Sequence, residues 1–255
     1  MHFSLVDRLP WAVALLVHLA LLFVLIGRGR WRQFPILTAW IAFLVARTSV
    51  LFPIYLYGSR NLYALVYVSG SWIDFVLQLG VVFEIARIVL RPTGTWARDA
   101  RTQFVYAGLA GVTVAALLAW WVSPPAWSVR YAWQLRGELF TSLVICELFI
   151  AISFTANRLG LGWRNHVMAV GQGLTAWTSV TVVTTALESF WGTRRLYFPL
   201  ARVSSLTFIA AICWITVQLW RQDPERQPIS SDLQEYILAL HKRVEYDLRR
   251  LDAPR

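Results

Sequence analysis

The sequence predicts an all-α fold: a polytopic membrane bundle of seven transmembrane helices, N-out/C-in, followed by a C-terminal cytoplasmic amphipathic helix. Three observations predict it. Charged residues make up 15% of the chain against 57% hydrophobic, where a soluble domain carries about 25% charged. Seven apolar runs reach the roughly 20 residues that a helix needs to cross hydrocarbon. Arginines between the runs alternate in density, heavy then light, as the positive-inside rule requires.

In chain order the runs are 11–27, 34–57, 62–90, 104–122, 136–157, 166–191 and 198–220. The first exceeds the apolar core of a signal peptide and is followed by Arg28, Arg30 and Arg32 in place of a small-residue cleavage site, so it reads as a retained helix. Breakers separate the others: Gly29, Gly58, Pro92 with Gly94, Pro124 with Pro125, Gly160 with Gly162, and Gly192. Connections this short join antiparallel neighbours. Strict apolar/polar alternation is absent, which excludes a transmembrane barrel.

Ten arginines (28, 30, 32, 91, 98, 101, 158, 164, 221, 226) fall on the expected cytoplasmic side, and five (8, 60, 130, 194, 195) on the outer side. The net charge of +10 therefore reads as topology and contact with anionic membrane lipids. The scatter of these residues over loops argues against nucleic acid as a partner. Many of the fourteen tryptophans, such as Trp31, Trp120, Trp121 and Trp220, fall at run ends, where indoles anchor at headgroups. The expected location is a cytoplasmic (inner) membrane.

Residues 1–220 form the expected transmembrane domain, and 221–255 a linker and tail. Ser231 with Gln234 makes a capping-box pattern. Leu233, Ile237, Leu240, Val244, Leu248 and Leu251 then follow at helical spacing. Segment 231–251 is thus expected to meet the inner leaflet, a cytoplasmic protein partner or a second copy of itself.

Ionisable residues inside spans are costly and mark candidate sites. Arg47, Asp74 and Glu147 lie near the middle of the second, third and fifth runs, and a buried charge layer is expected in which Arg47 pairs with Asp74 or Glu147. Tyr63, Tyr67, Ser71, Asp74 and Gln78 step along one helical face. Thr178, Thr181, Thr185 and Glu188 do the same on the sixth run, a pattern that reads chiefly as interhelical hydrogen bonding. Arg202 and Ser205 lie near the outer end of the seventh, and Glu138 marks the outer end of the fifth. Tyr67, Ser71, Asp74, Gln78, Glu188 and Arg202 together suggest a ligand pocket in the outer half. Near the cytoplasmic face Glu84 and Arg87 are spaced to pair, with Arg164 and His166 at the fifth-to-sixth turn. Gly171 and Gly173 read as places of close helix approach.

The chemistry that is missing narrows the function. The sole lysine is Lys242, so no span can carry a retinal Schiff base. The histidines at 2, 18, 166 and 241 fall at different depths, which leaves no zinc set. His18 reads as a bundle-facing hydrogen-bond donor, and Cys146 and Cys213 as small packing residues. There is no nucleophile elbow and no phosphate loop. No catalytic residues, metal or cofactors are assigned.

The stretch Val82-Phe83-Glu84-Ile85-Ala86-Arg87 followed by Arg91-Pro92, and the stretch Gly160-Leu161-Gly162-Trp163-Arg164-Asn165-His166 with Gly171 and Gly173, resemble the corresponding helix ends of a group of uncharacterised bacterial seven-helix membrane proteins. Asp74 and Gln172 depart from that pattern. A looser likeness is to the seven-helix sensor regions of bacterial histidine kinases, though no kinase domain follows. The resemblance implies topology and no activity. The expectation is a non-enzymatic sensor or adaptor that reads a small ligand or membrane state in its outer half and signals through the C-terminal helix, with a transporter or channel-like protein for a small polar solute as the alternative and an intramembrane enzyme third.

Overall fold

The computed structural model describes residues 5–90, 98–122, 129–158, 165–191 and 194–221. Within them are seven α-helices, one short 3-10 turn and no strand. The helices are α1 (Leu5–Gly27), α2 (Pro35–Tyr57), α3 (Arg60–Leu90), α4 (Arg98–Trp121), α5 (Val129–Arg158), α6 (Asn165–Trp191) and α7 (Arg194–Trp220), with the 3-10 turn at Arg30–Arg32. The chain divides at residue 222. The expected tail helix, Arg164 and the turn residues Pro92, Gly94, Pro124, Pro125, Gly160, Gly162 and Gly192 lie outside the described residues.

Six of the helices close a ring. α1 packs on α2, α2 on α3, α3 on α5, α5 on α6, α6 on α7, and α7 returns to α1. α3 also touches α6 across the middle, while α4 lies outside the ring against α5. Three helical segments, Pro35–Tyr57, Arg60–Ile88 and Pro199–Trp220, are long and apolar enough to cross a membrane. Trp11–Gly27 and Gly108–Trp121 are shorter apolar stretches. The outward surface is apolar as well: Leu16, Phe23, Val76, Leu117 and Leu206 are each at least 65% exposed. Such continuous apolar exposure marks a surface made to meet something other than water, and a membrane protein accounts for it.

The ring is filled differently at its two ends. At the end marked by the 3-10 turn the core is dry and apolar. Leu21, Leu25, Phe34, Leu37, Ile41, Ile85, Ile152, Leu174, Ile215 and Leu219 meet there, all but fully buried. Towards the opposite end the buried residues turn polar: Ser71, Gln78, Gln134, Thr141, Ser142, Thr181 and Thr184.

The start of α2 explains how the dry end holds together. Pro35 occupies the first helical position and has no N–H to satisfy. Phe34 precedes it and has no polar side chain with which to cap the helix. The amides of Ile36 and Leu37 instead donate to Oε1 and Oε2 of Glu84 on α3, at 2.9 and 3.0 Å. The amide of Thr38 reaches the Phe34 carbonyl at 3.0 Å. The free donors that begin any helix are thereby all accounted for, and a carboxylate sits where the helix dipole favours it.

Arg30 ties three elements at the same end. Its Nη2 lies 2.7 Å from His166 Nε2 on α6 and donates to the Arg221 carbonyl beyond α7 at 3.5 Å. An arginine only donates, so His166 accepts at Nε2 and carries its proton on Nδ1. Close by, the Arg28 guanidinium lies 4.6 Å over the Trp220 ring.

Candidate functional site: a polar cavity inside the helix ring

α2, α3, α5, α6 and α7 line a partly open cavity of about 210 Å³. α2 contributes Trp40, Leu44 and Arg47, and α3 contributes Tyr67, Ser71, Asp74, Phe75 and Gln78. α5 adds Gln134, Glu138 and Ser142, with Trp177 from α6 and Phe208 from α7.

Arg47 and Asp74 anchor one wall. Arg47 Nη1 donates to Asp74 Oδ2 at 3.2 Å, and Trp40 Nε1 donates to Asp74 Oδ1 at 2.6 Å. Arg47 Nη2 donates to Ser71 Oγ at 2.8 Å and to the Tyr67 carbonyl at 3.2 Å. The guanidinium also lies 5.1 Å from the centre of the Tyr67 ring. It is therefore bound along one face of α3. Gly70 makes that close approach possible, because a Cβ there would stand 3.0 Å from Arg47 Nε.

The opposite wall comes from α5, whose Gln134, Glu138 and Ser142 recur every four residues and so share one face. Glu138 makes no hydrogen bond or ion pair among the described residues, and Gln134 Oε1 is buried without a partner. Aromatic rings line the rest of the cavity. Trp177 and Phe208 have centroids 4.7 Å apart, and Trp40 meets Phe208 edge-on at 6.3 Å.

Four of the six pocket residues expected from sequence, Tyr67, Ser71, Asp74 and Gln78, line this cavity together. Glu188 and Arg202 do not. Arg202 is exposed on α7, and Glu188 is half-buried within electrostatic reach of Glu138. The charge layer contains Arg47 and Asp74, but Glu147 faces elsewhere. It lines a small cleft between α4 and α5 with Gly108 and Gly111, and a Cβ on Gly111 would come within 2.8 Å of its Oε2.

The expected pairing of Glu84 with Arg87 gives way to the α2 cap, and Arg87 points outward, exposed. His18 faces the bundle, 5.5 Å from Phe208, but neither ring nitrogen is hydrogen-bonded among the described residues. The threonines of α6 use their hydroxyls locally and between helices: Thr178 donates to the Leu174 carbonyl, and Thr181 Oγ1 lies 3.0 Å from Ser204 Oγ on α7. Cys146 packs against Thr178, with Sγ and Oγ1 3.2 Å apart. No group of three His, Cys, Asp or Glu side chains among the described residues converges as a metal site.

Sequence reasoning missed Trp40, Gln134, Ser142, Trp177 and Phe208 as cavity residues, and noted Glu138 only by its depth. The stepping pattern that revealed the α3 face was equally present on α5. No protein-family model, curated protein or solved structure matches this chain.

Proposed function

We propose that this chain is a multi-pass protein of a bacterial cytoplasmic membrane, with all seven helices spanning and the N-terminus outside. In this reading it works as a non-enzymatic sensor or adaptor that binds a small polar molecule in the cavity and signals through its C-terminal segment. The observation that carries the reading is the cavity itself: polar groups from three helices face one partly open space among the helices, where a bound solute can meet them.

α7 supplies the route for signalling. Phe208 borders the cavity, and the far end of the same helix is held by Arg30 through the Arg221 carbonyl. A solute that displaces Phe208 would act on that tether, one rigid helix away from the tail. Signalling then requires only that the solute prefer one of two α7 positions.

A transporter for a small polar solute is the competing reading. The dry apolar core at the end marked by the 3-10 turn favours the sensor, because a path through it would have to separate well-packed side chains. Purified protein in lipid nanodiscs should bind some member of a panel of small polar solutes saturably, with binding weakened in Asp74→Asn. Deleting 229–255 should leave that binding intact and abolish capture of the cytoplasmic partner. Solute uptake into proteoliposomes that depends on Asp74 would replace the sensor with a transporter. Absence of saturable binding across the panel would end both.

A further inference from the structure

We propose that the solute taken by this cavity is a small organic cation, an alkylammonium or quaternary ammonium compound, received by Glu138. This rests on the reading of the cavity as a binding site and names the class of ligand.

The charges are unevenly committed. Arg47 is engaged by Asp74, Ser71 and the Tyr67 carbonyl. Asp74 in turn accepts from both Arg47 and Trp40. These groups, from α2 and α3, are bonded chiefly to one another. Glu138, on the α5 wall, lines the same space and has no hydrogen bond or ion pair among the described residues. The cavity thus holds two carboxylates and one guanidinium, and Glu138, which meets Arg47 only through space, is available to a positive partner.

Gln134 points to the same chemistry. It is 3% exposed; its side chain is hydrogen-bonded to Tyr67, which leaves the carbonyl Oε1 buried without a donor among the described residues. It stands one turn from Glu138 on the cavity face. A buried acceptor of this kind is costly unless something donates to it, and an ammonium or hydroxyl group on the solute would.

The remaining walls suit a cation that carries apolar substituents. Trp40, Trp177 and Phe208 bring aromatic rings to the cavity, and such rings attract ammonium groups through their π faces. At about 210 Å³ the cavity exceeds the roughly 150 Å³ of an engineered apolar cavity that takes up benzene, so a small organic cation fits. An anionic solute fits less well. The one unpartnered nitrogen of Arg47, Nε, lies against α3 at Gly70, and its other two nitrogens are already bonded to Asp74, Ser71 and the Tyr67 carbonyl.

Isothermal titration calorimetry on the full chain in nanodiscs tests the assignment, with choline, tetramethylammonium and butylammonium as probes. The neutral isostere 3,3-dimethyl-1-butanol and acetate serve as comparisons. At least one cation should bind saturably, and at least ten-fold more tightly than either comparison. Glu138→Gln should remove at least ten-fold of that affinity, and Gln134→Leu several-fold. The comparison of cation with isostere needs only the wild-type chain, so it stands even if a variant fails to fold. Equal binding of isostere and cation, or undiminished cation binding by folded Glu138→Gln, would overturn the cation assignment and leave the binding site standing. Binding of acetate alone would do the same. Failure of every probe, together with failure of the wider polar panel, would overturn the binding site as well.

Discussion

Replacing Glu84 by alanine removes the acceptors of two backbone amides at once. Ile36 and Leu37 donate to its two oxygens at 2.9 and 3.0 Å, and Glu84 as a residue is 5% exposed. Neither amide has an alternative acceptor from the capping position, because Phe34 is apolar. Hydrogen bonds to a charged group contribute about 1.5–3 kcal/mol each. Loss of both, partly relieved by fraying of the first turn of α2, should cost about 3–5 kcal/mol. Glu84→Gln keeps one carbonyl acceptor and turns a donor towards the other amide, so it should cost about 2 kcal/mol by the same scale. Arg87→Ala is the control. Arg87 is exposed and takes no part in the cap, so its loss should fall within about 0.5 kcal/mol, as surface changes usually do. Unfolding of the three variants in detergent, followed by helical circular dichroism, measures the order. The reasoning fails if Arg87→Ala destabilises as much as Glu84→Ala, which would mean that the two side chains pair. It also fails if Glu84→Ala melts with the wild type.

Arg47→Leu should cost about 3–5 kcal/mol by stranding the Asp74 carboxylate. Adding Asp74→Leu should recover much of it, so a double-mutant cycle by thermal unfolding should show coupling of at least 1 kcal/mol, on the order expected for a buried network. A Cβ on Gly171 would run into the Phe149 ring where α6 meets α5, so Gly171→Ala should lower stability by about 1–3 kcal/mol. Gly108 has no neighbour within 4 Å of such a Cβ, and Gly108→Ala should stabilise α4 by roughly 0.5–1 kcal/mol. Both are checked by the same melts. Arg30→Ala should speed hydrogen exchange at the last turn of α7 several-fold while leaving α3 unchanged, as mass spectrometry of the exchanged protein would show.

The helix count was legible because apolar run length is a local property. The starts of several helices were less so. α4 begins at Arg98 rather than at 104, and α5 at Val129 rather than at 136, because backbone hydrogen bonding continues through polar flanks where hydropathy falls. The α3 face of the site was legible for a similar reason: four polar residues at helical spacing on one element announce themselves. What could not be read was which faces of the other helices meet it. Glu138 and Glu147 illustrate the point. They are nine residues apart, about two and a half turns at 3.6 residues per turn, and so project to opposite sides of α5. Glu147 is nearer the middle of its run and drew attention by depth, but Glu138 has the angle that reaches the cavity. Glu84 was misjudged through proximity. Arg87 is three residues away along the same helix, while the amides it serves are almost fifty residues distant in sequence.

Closure of the ring by α1 on α7 has a consequence for how the protein is made. Ribosomes deliver the helices in order, so five walls of the ring exist before α7 has been synthesised. Until then the space beside Trp177 has no Phe208 across from it and the two flanks of α1 and α6 stand unmated. The cavity is therefore absent from every shorter nascent chain and comes into being with the last of the seven helices. A compound that fits it would recognise finished molecules only, and could serve in the laboratory as a reporter of completed assembly.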